Sequence, residues 1–430
     1  MTFIPGRAFS RCRPPAFYRK RFPAEPLRSA RFVLLCVMAF APLKASAETL
    51  HEALIRAWTA DPETHSAAVD AQAAHKTARA VDSWFPAGPL LAGEYLDDHF
   101  IGSKVGYTTY QGSVSVPLWL PGQGSATVRS AEADEAVATA RGKVRKLLTG
   151  VQLLDLISSA TILQKELANL EMTGILLDHV TRTSRRALQA GEIGGADHDA
   201  VVAEREDLES QIADRRQALD NTRAQIEVMT GTDAVPDLMT LDGRVLTART
   251  VALDPRNDPR IEMAEAQSRS AKATYDVAKH SYMPNPEIGV QVMRQEQYGS
   301  PWDTQVGVQF QVGLPSEAQN APKLMNGVKA IGAADRDAEL ARRNVRVEYR
   351  RIRSQLTSAL DILHHSQITQ KALDDRATQL ERAWQVGEMP VIEYLRARRA
   401  ALDARQRSAQ ADVIWHAAIV RVMLMAGQTP

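Results

Sequence analysis

Cysteine is nearly absent. The 430-residue chain has two, Cys12 and Cys36, so past residue 36 no disulfide can form and the fold must hold by packing or assembly. An excess of one charge is missing too: 52 Lys and Arg stand against 51 Asp and Glu, which excludes a polybasic nucleic-acid binder and an acidic disordered chain. No Gly-rich phosphate loop, serine-nucleophile elbow or zinc-binding helix motif occurs, so neither an enzyme, a cofactor nor a bound metal is expected. Asp197-His198-Asp199 and His364-His365 put neighbouring side chains in divergent directions, which does not suit a metal site, and the two histidines read as solvated or inter-helix positions. Proline is missing over 122–235 and 323–389, leaving two stretches where nothing forbids continuous helix. Long apolar runs are scarce; 32–43 is the clearest, about 12 residues and short for a membrane span.

Residues 1–47 hold nine Lys or Arg and one acid, eight of the basic residues before that run, and Ala45-Ser46-Ala47 comes after it. A basic stretch, a short apolar run and a small-residue site make a secretory signal peptide, expected over 1–47. The rest of the chain then has 43 basic and 50 acidic residues. Cys36 reads poorly as a lipidation site, because Val33-Leu34-Leu35 has no small residue before it.

The remainder repeats itself. Arg186-Ala187-Leu188-Gln189-Ala190-Gly191-Glu192 matches Arg382-Ala383-Trp384-Gln385-Val386-Gly387-Glu388 in five of seven positions, at an offset of 196. The offset also pairs Val116-Pro117-Leu118 with Val312-Gly313-Leu314, and Met229-Thr230-Gly231 with Met425-Ala426-Gly427; Asp61-Pro62 and Asp258-Pro259 follow with a one-residue drift. The spacing predicts two homologous halves, 48–231 and 258–430, joined by a connector at 232–257. Such a period is far longer than that of a solenoid.

Each half should run helix, two strands, long helical hairpin. Ala-rich segments at 50–84 and 260–282 have helical spacing and end at proline clusters. Strands are expected at about 89–98, 107–118, 286–296 and 303–314. In the second, Tyr110, Gly112, Val114, Val116 and Leu118 alternate with Gln, Ser and Thr; in the fourth, Val306, Val308, Phe310, Val312 and Leu314 alternate with Gln and Gly. One apolar face and one uncharged polar face over about ten residues suits a transmembrane strand lining a wet lumen, and also a half-buried soluble sheet. Aromatics near the strand ends (Tyr95, Phe100, Tyr107, Trp119, Tyr298, Trp302) favour the first reading. Four strands cannot close a barrel, and open edges cannot sit in lipid, so several chains would share one barrel. The helices before Gly191 and Gly387, some 60 residues each, would be about 90 Å long. By themselves they would equally suit a periplasmic coiled-coil adaptor or scaffold, which needs no such strands.

Taken together, the leader, the duplication, the strand pair with a long hairpin in each half, and the Gln-x-Gly-Glu turns resemble the TolC-type outer-membrane efflux protein family. Val312-Gly313-Leu314-Pro315 and the two Asp-Pro pairs are similar to its heavy-metal, CzcC-like branch. The resemblance implies a mainly α fold with four transmembrane β-strands per chain, a homotrimer sharing one twelve-stranded β-barrel in the outer-membrane lipid, and a tapered tube of long helices in the periplasm. It also implies a passive conduit docked to a periplasmic adaptor (membrane fusion) protein and a proton-driven inner-membrane pump, with metal cations among the cargo it could carry. Val114, Val116, Val306, Val308 and Phe310 would then face lipid. The turns at Gly191 and Gly387 would form the periplasmic aperture, with Asp197, Glu393, Glu192, Glu388 and Trp384 at it. Asp197 would be the family's aperture aspartate, giving a ring of six carboxylates with Glu393, compensated by Arg186, Arg382 or Arg396. As a plain sequence feature Asp197 also fits a solvated turn acid or a helix cap. Met389-Pro390 occupies the place of the drug branch's gating basic residue, and Trp384 that of its usual tyrosine.

Overall fold

The structure, a computed structural model, describes residues 49–98, 106–239, 254–297 and 299–428. The expected leader 1–47, both cysteines, Phe100 and Tyr298 lie outside them. The first half contains α1 (Leu50–Ala60), α2 (Pro62–Val81), β1 (Leu90–Asp97), β2 (Tyr107–Pro117), α3 (Gln123–Gln189) and α4 (Gly195–Thr230). After a 3-10 turn at Pro255–Asn257 the second contains α5 (Pro259–His280), β3 (Glu287–Gln297), β4 (Asp303–Gln311), α6 (Glu317–Gln385) and α7 (Val391–Met425).

One helix expected over 50–84 is in fact two. Asp61 has extended backbone angles, and its side chain accepts from the N–H of Glu63 with Pro62 in the first helical position. Proline has no N–H to continue the ladder of α1, but its fixed φ suits the start of a new helix. Asp61 also ties α2 to α3: Arg145 donates to it through Nε at 2.8 Å and Nη2 at 3.1 Å, and Thr149 Oγ1 at 3.0 Å. The Arg145 guanidinium holds the Asp61 carboxyl well below the usual carboxylate range. Asp258 caps α5 in the same way and is fully buried, gripped by Arg260, which also pairs with Glu348 on α6.

The strands form one antiparallel sheet in the order β1-β2-β3-β4. The two halves therefore meet through β2 and β3, with Val114 opposite Val290 and Val116 opposite Ile288. β4 ends at Gln311, three residues short of the expected Leu314. Its partner β3 begins only at Glu287, and beyond it Pro284 occupies the space beside Gly313, where a Cβ would come within 2.7 Å of the proline ring.

Helices follow the same lateral order as strands. The first part of α3 packs between α2 and α5, and the first part of α6 against α5; further along, α4, α3, α7 and α6 form the row. The largest buried cluster lies where the two rows meet, around Leu54, Leu153, Leu154, Ile157, Ile226, Ile352, Val413 and Val420. In mid-row, α3 buries eighteen residues, whereas α6, at the edge and of similar length, buries seven. Among the described residues the outer flank of α6 thus lacks a neighbour, and it exposes Met325, Leu340, Val347 and Ile362.

Candidate functional site: the sheet faces and the helical tips

Alternation along each strand and the antiparallel register sort side chains onto two faces. Leu91, Tyr95, Tyr110, Val114, Val116, Ile288, Val290, Val292, Val306, Val308 and Phe310 share one face. Among the described residues nothing covers its centre and fourth strand: Val306 is 72% exposed, Val308 65% and Phe310 70%. Thr109, Gln111, Ser113, Ser115, Gln291, Gln305 and Gln309 share the other. There Gln111 donates to Gln291 at 3.3 Å and Ser115 to Glu287 at 2.9 Å. The arrangement presents apolar surface outward on one side and amide and hydroxyl groups on the other, which is what a wall between lipid and water requires. Of the end aromatics, Tyr95 and Trp302 flank Tyr110 in a row of tilted rings on the apolar face, with ring centroids 5.0 and 5.8 Å apart. Trp119 instead sits at the opposite, helical end, donating to the Ser83 carbonyl at 2.9 Å.

At the far ends of the long helices the two turns are built alike. Glu192 N–H donates to Ala187 O at 2.9 Å, and Glu388 N–H to Ala383 O at 3.0 Å, closing helices α3 and α6. Each closure needs a left-handed residue, supplied by Gly191 at φ 76° and Gly387 at φ 79°. Gly387→Ala would force a Cβ into that conformation and is expected to cost about 1–2 kcal/mol, seen as a lower thermal midpoint; an unchanged midpoint would remove the conformational role.

The acids expected at the aperture are all at this end. Glu192, Asp197 and Glu388 are exposed; Glu393 is half-buried. Glu393 is paired with Arg396 at 2.6 Å, one helical turn along α7. Among the described residues Asp197 has no basic partner, and neither Arg186 nor Arg382 is paired with any of these acids. The neighbouring His198 turns away, its Nδ1 3.0 Å from Ser184 Oγ. No group of three or more His, Cys, Asp or Glu among the described residues could hold a metal ion.

Trp384 is placed differently from the acids. It lies half-buried, stacked parallel on Tyr394 with centroids 5.2 Å apart. Tyr394 is completely buried with Val180 and Val201, so one aromatic pair locks the second hairpin against the first. Burial, with Glu381 nearby, pushes the Tyr394 hydroxyl up to about 12. Sequence reasoning missed Tyr394; the available signal was an aromatic ten residues after Trp384, across the turn, where both rings must face the same hairpin interior.

Residues 255–428, essentially the whole second half, match the family described as outer membrane efflux protein. By sequence, no curated protein matches the chain. Its fold is similar to that of CusC, described in terms of folding and transmembrane channel formation, with a TM-score of 0.71 at 13% identity over 89% of this chain and 93% of that one. VceC, an outer membrane protein of Vibrio cholerae, gives a TM-score of 0.71 at 12% identity over 88% and 96%. The Campylobacter jejuni CmeC outer membrane channel gives 0.65 at 13% over 94% of each. The second half thus matches the outer membrane efflux protein family, the same strand and hairpin plan is repeated in the first, and the fold over both halves is that of the outer-membrane channels CusC, VceC and CmeC.

Proposed function

We propose that the protein is the outer-membrane conduit of a tripartite efflux assembly, in which three copies share one barrel and one helical tube. The observation that carries this is a four-stranded sheet that has, among the described residues, a bare apolar face, a hydrogen-bonding polar face and unpaired outer edges on β1 and β4. In lipid those edges must be paired, and the neighbouring copies supply the partners. Three copies bring twelve strands, an even number within the range of such barrels. The thinly packed flank of α6 gains a neighbour in the same way. A coiled-coil adaptor would leave the apolar sheet face in water, at a large hydrophobic cost.

The protein sits in the outer membrane and reaches into the periplasm with its hairpin tips, where a periplasmic adaptor and a proton-driven inner-membrane pump dock. It moves nothing by itself. Val114, Val116, Val306, Val308 and Phe310 face lipid; Asp197 and Glu393 ring the aperture and favour cations through it. Metal-cation cargo, which the CzcC-like sequence features suggest, needs no ligand site in such a conduit, only that ring.

Because Glu393 is neutralised by Arg396, Asp197 carries most of the preference. In planar bilayers under a salt gradient, Asp197→Ala is expected to shift the reversal potential away from cation selectivity, and Glu393→Gln to shift it less. Equal selectivity for wild type and Asp197→Ala would remove that residue from the aperture, while absence of any conductance from the wild-type trimer would contradict the conduit itself.

A further inference from the structure

On the outward apolar face, two glycines stand side by side across β1 and β2, Gly93 opposite Gly112. A Cβ built on Gly112 would meet nothing within 4 Å, and one on Gly93 only a backbone oxygen at 3.9 Å. Packing within the chain therefore does not explain why both positions lack a side chain. Their absence leaves an open notch, walled by Tyr95, Tyr110 and Val292, with Arg294 at one end.

Arg294 is out of character with its surroundings. Alternation puts it on the apolar face in line with Val290 and Val292, where it lies 4.9 Å from the centre of the Trp302 ring. Among the described residues no carboxylate is paired with it. Asp97 and Glu296 share its face but stand beyond the aromatic row, where Tyr95 donates to Asp97 at 2.6 Å. Arg294 is seven residues along β3 from Glu287, the helical end, or about 24 Å of strand and about 18 Å of height at the 35–45° tilt of barrel strands. The apolar band of an outer-membrane barrel is about 25 Å tall. With the helices pointing into the periplasm, Arg294 therefore stands in the outer part of that band, level with the Tyr95-Tyr110-Trp302 row and within side-chain reach of the headgroups, below the acids and above the notch. A guanidinium there, over an indole ring, can present its fork to a phosphate.

We propose that this notch binds a phosphorylated glycolipid of the outer leaflet, with an acyl chain lying over Gly93 and Gly112 and a phosphate on Arg294. The inference rests on the outer-membrane reading above and deepens it by naming a lipid and the residues that select it. Aromatic rows alone prefer the interface without regard to headgroup; the isolated Arg294 beside a side-chain-free channel adds both charge and shape.

The test is native mass spectrometry of the delipidated wild-type trimer, titrated with diphosphorylated lipid A, with dephosphorylated lipid A and with phosphatidylglycerol. Wild type is expected to hold diphosphorylated lipid A at least tenfold more tightly than either of the others. Arg294→Ala should lose that preference, and Gly112→Leu, which fills the notch and leaves the charge, should weaken lipid A binding by a similar factor. The lipid comparison on wild type needs no variant to fold. Equal binding of all three lipids by wild type, or undiminished lipid A binding by assembled Arg294→Ala, would overturn the proposal while leaving the conduit standing. A wild-type protein that yields no trimer from the outer membrane would overturn both.

Discussion

Val308→Arg is expected to abolish assembly of the protein in the outer membrane. Val308 lies opposite Val290, which lies opposite Val114, midway between the helical end of the sheet and the Tyr95-Tyr110-Trp302 row. An arginine at the midplane of a barrel's lipid face costs about 2–4 kcal/mol. Three copies raise that to about 6–12 kcal/mol per trimer, comparable with the whole stability of a folded domain. Gln309→Arg is the control, because the next residue points to the polar face and its charge would meet water. Phe310→Arg should be milder than Val308→Arg, since Phe310 pairs with Ile288 at the helical end, where the penalty falls to about 0–1 kcal/mol. Membrane fractionation and a heat-resistant trimer band on gels read all three. Normal trimers from Val308→Arg would contradict the lipid-facing assignment.

Asp61→Ala is expected to give the second large effect, on stability. It removes the N-terminal cap of α2, worth about 1 kcal/mol, and strips Arg145 of its best-buried partner. Side-chain exposures of 8% for Asp61 and 29% for Arg145 place the pair well inside the protein. Removing one member of such a pair costs about 3–5 kcal/mol; Glu63, which contacts Arg145 at 2.8 Å but is 70% exposed, keeps the loss toward the lower end. The pH dependence follows from the lowered carboxyl value. Stability from a depressed carboxylate is fully present above its unfolded value, about 3.9, and is lost as pH falls through the folded value. The gap in denaturation midpoint between wild type and Asp61→Ala should therefore stay constant from pH 7 to about pH 4 and narrow only below. A gap that closes between pH 7 and 5 would assign the effect to another group.

What could be read from the chain alone followed from short-range physics. Strands β2 and β4 announce themselves because a period of two, with Val, Phe and Tyr against Gln, Ser and Gly, admits few other conformations. The long helices follow from missing proline, and their ends from glycines that must turn left-handed. The break at Asp61 was hidden because the alanines of α1 and α2 keep helical spacing through it, although the Asp-Pro pair was itself visible as part of the repeat. Pairing of β2 with β3 was not legible: it joins residues some 170 apart, and no local pattern records which strand lies beside which. At the candidate site, the acids of the turns could be placed by the repeat, whereas the state of each depends on neighbours. Arg396 was one of three basic candidates, and only the helical geometry of α7 singles it out for Glu393. Trp384 was assigned to the aperture by the resemblance; its half-burial at that end follows from Tyr394, which reaches it from the next helix. Arg294 and the paired glycines draw no notice in sequence, because their meaning lies in a register between strands.

Electron microscopy of the mature protein extracted from outer membranes in detergent tests the central claim most directly. Helix α3 has 67 residues and β2 has 11, about 100 Å and 35 Å at helical and strand rise. The account predicts a three-fold tube roughly 130 Å long with a barrel at one end. Single-chain particles without three-fold symmetry, or a protein recovered only from the soluble periplasmic fraction, would contradict it.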